Sequence, residues 1–134
     1  MADQIADKVC AILDSNYPGG IRSSRVKDLV DLVVLAHTQT VDLAELRQAI
    51  AAKRVISGLG PIEHFEIPND WTRTYPTTSK GVPVAESFTA EAAADLVALL
   101  VDRALDKRSI TGIWNPRTLS WVADTSDSAA TAGK

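Results

Sequence analysis

The sequence predicts a mainly α fold: a four-helix core, a long proline- and aromatic-containing connector over residues 58–88, and a small C-terminal β hairpin. Four segments repeat apolar residues at the three-and-four spacing of a helix. Residues 58–88 break that rhythm with four prolines. Two short runs near the C-terminus flank a turn-forming triplet. The chain has 134 residues, 46% of them apolar and 23% charged, which fits one globular domain. That domain is expected over 1–123, with a polar tail over 124–134.

The first helix is expected over 3–15. Ile5, Val9 and Ile12/Leu13 share a face, Asp3 is the expected N-cap, and Asn16-Tyr17-Pro18-Gly19-Gly20 ends it. The second is expected from Ser24 to about His37, capped by Ser23 or Ser24. Its segment Leu32-Val33-Val34-Leu35-Ala36 is apolar all round, which marks it as the central helix. The third, over 43–54, has the best-specified start. Asp42 and Glu45 stand at capping-box spacing, and Val41 and Leu46 at the spacing of a hydrophobic staple. Gly58 and Gly60-Pro61 stop it.

The connector holds Pro61, Pro68, Pro76 and Pro83 together with Phe65, Trp71, Tyr75 and Phe88. Extended pieces are expected at Ile62–Ile67 and Trp71–Tyr75, demoted by the prolines to edge strands or arms. The fourth helix is expected over 90–107 with Thr89 as N-cap. Ala93, Leu96, Val97, Leu100, Val101 and Ala104 make its apolar face. Asp95, Asp102 and Asp106 mark its wet side, and Leu99 stands among them. The hairpin pairs 110–114 with 118–122 around Asn115-Pro116-Arg117.

Fourteen Lys and Arg stand against 17 Asp and Glu, a net charge of −3, so no basic footprint for nucleic acid is visible in the whole chain. No apolar run approaches the roughly 20 residues of a membrane-spanning helix. Cys10 is the single cysteine, so no internal disulfide forms, and its apolar helical neighbours argue for a buried thiol, not a nucleophile. His37 and His64 with one cysteine make a poor metal inventory, and no cofactor motif is present; Gly58-Leu59-Gly60-Pro61 follows a helix and lacks the context of a phosphate loop. The acid pairs Asp28/Asp31 and Asp102/Asp106 read as solvated helix faces, while Glu63/Glu66 stands in a segment without a firm structural assignment.

These observations lead to a non-enzymatic reading. The chain is expected to be a structural or adaptor subunit of a larger assembly, with a virion connector or capsid-associated component as one form, synthesised in the cytoplasm. The expected partners are other protein subunits, in a homo-oligomer or hetero-assembly, without membrane or nucleic acid. Aromatic residues dominate binding hot spots, so the expected interface is Phe65, Trp71, Tyr75, Leu99, Trp114 and Trp121. The alternative is a helix-turn-helix DNA-binding regulator over 24–54, its second helix carrying Arg47, Gln48, Lys53 and Arg54. No catalytic, cofactor-binding or metal-ligating residue is expected.

Overall fold

A computed structural model describes residues 1–14, 26–58, 64–67, 71–106 and 111–122. The fold is mainly helical, with six helices and a small three-stranded sheet among these residues. The helices are α1 (Ala2–Asp14), α2 (Val26–Thr38), α3 (Leu43–Ser57), α4 (Trp71–Ser79), α5 (Pro83–Glu86) and α6 (Ala90–Leu105). The strands β1 (Val41–Asp42), β2 (Ile113–Asn115) and β3 (Ser120–Val122) pair antiparallel in the order β1-β2-β3.

Helix α2 is central, as its apolar run requires: it packs against α1, α4, α5 and α6. Val26, Leu29, Leu32, Val33 and Ala36 are fully buried in it. Lys8 of α1 holds Asp31 at 2.9 Å and Asp28 at 3.6 Å, tying α1 to the polar edge of α2. Asp28/Asp31 is therefore a partly buried ion-pair site, not a plain solvated face. Lys53 of α3 reaches Asp7 of α1 at 2.6 Å.

The expected boundary of α3 holds at its start. Asp42 is extended and its side chain accepts from the Glu45 amide at 3.0 Å, while Val41 and Leu46 are buried. The helix runs to Ser57, three residues further than expected, and stops at Gly58, whose φ of 73° is the left-handed cap that glycine adopts without strain. Thr89 caps α6 by accepting from Ala92 N at 3.1 Å. Asp3 is not the N-cap of α1. It stands in the first turn, where its charge suits the helix dipole. The Ser23/Ser24 cap, the Asn16–Gly20 stop, Gly60-Pro61, Glu63 and the 124–134 tail lie outside the described residues.

The connector departs most from expectation. Residues 71–79 form a helix, α4, despite Pro76. Trp71, Tyr75 and Ser79 fall four apart and are all buried, so one face of the helix closes onto the core. A short helix, α5, then starts with Pro83 in its first turn, where a missing amide hydrogen costs nothing. The Tyr75 hydroxyl donates to Ala85 O at 2.9 Å and joins the two. Residues 65–67 are irregular, not a strand. Strand β1 is the other unexpected element. It pairs Val41 with Trp114 and turns the hairpin into a three-stranded sheet.

Candidate functional site

Asp95, Leu99 and Asp102 are spaced four and three apart, which places them in one stripe along α6, and Asp106 follows as its extended C-cap. The opposite stripe, from Ala93 to Ala104, is buried in the core. The hairpin lies beside the outer stripe. Between them runs an open groove of about 1180 Å³. Its apolar lining comes from Leu96, Leu99, Leu119, Trp114 and Trp121, and its polar lining from Asp95, Asp102, Arg103 and Asp106 among others.

The hairpin is fixed in place by its two tryptophans. Trp114 is fully buried, and its indole N–H donates to Ala36 O at 2.8 Å. Trp121 stands opposite Trp114 in the register, and their rings meet edge to face at 5.6 Å and 70°. The Trp121 indole donates to Leu99 O at 3.0 Å, which ties the ring to α6. It remains half-buried, a rigid aromatic surface on the groove.

The turn supplies the facing wall. Asn115 Oδ1 accepts from Arg117 N at 2.9 Å, and Asn115 O accepts from Leu119 N at 2.8 Å. Closing this loop puts Leu119 at φ 55°, a left-handed conformation that costs a branched residue about 1–2 kcal/mol. The Leu119 side chain lines the groove and packs against the edge of the core.

Asp102 is the most constrained polar group of the site. Its Oδ1 accepts from the Phe65 amide at 2.7 Å. Burial pushes its carboxyl above the ordinary range, against the opposing pull of the Phe65 amide and the His64 charge. The bond to the Phe65 amide is the one side-chain hydrogen bond of Asp102 among the described residues. Arg103, next along the helix, is exposed and has no ion-pair partner among the described residues.

The six residues expected at an interface divide sharply. Phe65, Trp71, Tyr75 and Trp114 are buried in this chain's own core. Leu99 is 60% exposed, and Trp121 is half-buried. Leu99, Trp114 and Trp121 meet at the groove, and Phe65 reaches it through its amide on Asp102. Trp71 and Tyr75 stand elsewhere, on the inner face of α4. The solvated-face reading of Asp102/Asp106 missed the half-burial of Asp102, because its partner is a backbone amide 37 residues away in an irregular segment. Arg103 and Leu119 carry no local motif.

Cys10 is buried, and that burial, with the charge of Asp7, pushes its thiol upward. The His37 Nδ1 stands 2.8 Å from Val33 O, and its ring meets Phe88 edge-on at 5.7 Å. Among the described residues no group of three or more His, Cys, Asp or Glu side chains converges to hold a metal. No helix among them is long and apolar enough to cross a membrane.

Residues 1–113 match the family described as the nucleotidyl transferase AbiEii toxin of type IV toxin–antitoxin systems. No curated protein and no solved structure matches the chain. The family match overturns the expectation of a non-enzymatic structural or adaptor subunit, with its protein-subunit partners and virion location, because the family is one of enzymes and toxins. The helix-turn-helix alternative falls with it. The presumed reading helix, α3, is packed against α1 and α6, with Lys53 on Asp7 and Arg47 on Asp106 O. The exclusion of nucleic acid is corrected as well. Net charge measures long-range steering of a polyanion, whereas a nucleotidyl transferase needs only local groups that hold a nucleotide.

Proposed function

The chain belongs to the AbiEii family of nucleotidyl transferase toxins, and from that premise we propose that it serves transfer of a nucleotidyl group from a nucleoside triphosphate to a nucleic-acid hydroxyl, with the α6–hairpin groove holding the nucleoside. In this reaction the acceptor oxygen bonds to the α-phosphorus. The bond from that phosphorus to the bridging oxygen of the β-phosphate breaks, pyrophosphate leaves, and the hydroxyl proton passes to a base or to water. Such reactions depend chiefly on positioning and on stabilising charge.

The observation that carries the groove assignment is Trp121, a half-buried indole locked by its hydrogen bond to Leu99 O and facing an open cleft. Bases stack on aromatic side chains for about 1–3 kcal/mol each. Leu99 and Leu119 supply the apolar contact on either side of it. Arg103, in the same lining, supplies a cation for phosphate.

The test is transfer of label from an α-labelled nucleoside triphosphate to RNA, for the parent protein and for Leu99→Glu. Leu99 is exposed, so the variant keeps the fold while placing a fourth carboxylate in the groove. Label incorporated by the parent and lost in the variant supports the reading. Equal incorporation by both removes the groove from it.

A further inference from the structure

Leu119 is the one non-glycine residue with a positive φ, 55°, among the described residues. A bulky side chain is rare there, because its Cβ crowds the following carbonyl, whereas glycine takes the same conformation freely. The turn fixes the backbone at this position. Leu119 N donates to Asn115 O at 2.8 Å, which closes the loop just before Ser120 pairs with Asn115. A glycine would close the same loop without strain, yet a leucine stands here. Its side chain is only half-buried. One part packs against the edge of the core and offsets some of the strain. The side chain also lines the groove, together with Leu99 and Trp121. Strained backbone of this kind concentrates at ligand clamps.

We infer that Leu119 is kept for the ligand and not for the fold: it is a specificity residue whose side chain packs on the nucleobase and favours a nucleoside triphosphate over a bare triphosphate. This rests on the nucleoside reading of the groove given above. An aliphatic side chain in one lining with an indole offers contact to the flat face of a base, in proportion to the apolar area covered. It offers nothing to a phosphate chain. Leu119 takes no part in the chemistry at phosphorus.

The experiment compares the parent protein with Leu119→Gly and Leu119→Ala. It reads denaturant midpoints, and equilibrium binding of the four common ribonucleoside triphosphates and of inorganic triphosphate. Glycine removes the side chain and the strain together; alanine removes the side chain and keeps the strain. The glycine variant is therefore expected to unfold at a higher midpoint than the alanine variant. Affinity is expected to follow the side chain and not the stability. Both variants should bind the tightest nucleotide roughly three- to tenfold more weakly than the parent, with inorganic triphosphate unchanged. Nucleotide binding unchanged in both variants overturns the role of Leu119 and leaves the groove reading standing. Affinity that tracks stability, tighter for glycine than for alanine, also overturns that role, since Leu119 then acts through the fold. An equal loss for nucleotide and inorganic triphosphate overturns it in the same way. A parent that binds no nucleotide, or binds it no more tightly than inorganic triphosphate, overturns both readings. Should Leu119→Ala not fold, Leu119→Gly decides alone, because glycine suits the turn.

Discussion

The indole N–H of Trp114 donates to the carbonyl of Ala36 at 2.8 Å, across 78 residues of sequence, and both residues are fully buried. Helix α2 ends at Thr38, so Ala36 O is among the last carbonyls that lack an intrahelical partner. One bond thus caps the central helix and anchors the hairpin that forms one wall of the groove.

The contrast with Trp71 yields a prediction. Trp71 is equally buried, but its Nε1 has no partner among the described residues. Trp114→Phe strands the Ala36 carbonyl and is expected to cost about 1–3 kcal/mol beyond the lost packing. Trp71→Phe removes an unsatisfied donor, which offsets part of its cavity cost. Denaturant midpoints should place Trp114→Phe clearly below Trp71→Phe; the reverse order would show that the Ala36 bond contributes nothing.

Asp42→Ala removes the cap on the Glu45 amide and is expected to lower stability by about 0.5–2 kcal/mol. Because β1 pairs Asp42 with Ile113, the same change should loosen the sheet, read as faster amide exchange in β2. An unchanged unfolding midpoint contradicts the assignment of this cap.

Asp102 gives a pH signature. Its folded carboxyl lies above the ordinary value of 3.8, chiefly through burial. The folded state therefore holds this proton more tightly than the unfolded state. Its contribution to stability is fully present below 3.8 and is lost as pH rises through the folded value. Asp102→Asn lacks this dependence. Relative to the parent, the variant is expected to melt at a higher temperature near pH 7 than it does near pH 4. A difference that stays constant, or changes in the opposite sense, contradicts the burial.

Much of the fold was legible because its signals are local. The apolar run at Leu32–Ala36 and the Asp42 and Thr89 caps each act within a few residues, as does the hairpin turn, which falls at 116–119 with Asn115 in β2 and not at 115–117 as expected. Helix α4 was hidden by Pro76, although Trp71, Tyr75 and Ser79 carry a helical spacing that could have revealed it. Strand β1 is two residues long and exists only through its pairing with β2. The groove was half legible. Leu99 stood out as an apolar residue on a polar face, and Trp121 as an aromatic outside the helices. Their hydrogen bond, the Phe65 amide on Asp102 and the left-handed Leu119 are products of tertiary closure. Function was less legible, since a balanced net charge says little about one small ligand.

The most direct test of the groove is the indole N–H resonance of Trp121, followed by NMR as a nucleoside triphosphate is added. This proton lies in the hydrogen bond to Leu99 O, at the groove itself, whereas that of Trp114 is sealed in the core against Ala36 O. Assignment is made by Trp121→Phe, which deletes the signal. The account predicts a saturable shift of the Trp121 resonance, with that of Trp71 unmoved. Saturable binding that leaves the Trp121 resonance in place would contradict it, since the nucleotide would then be held elsewhere on the chain.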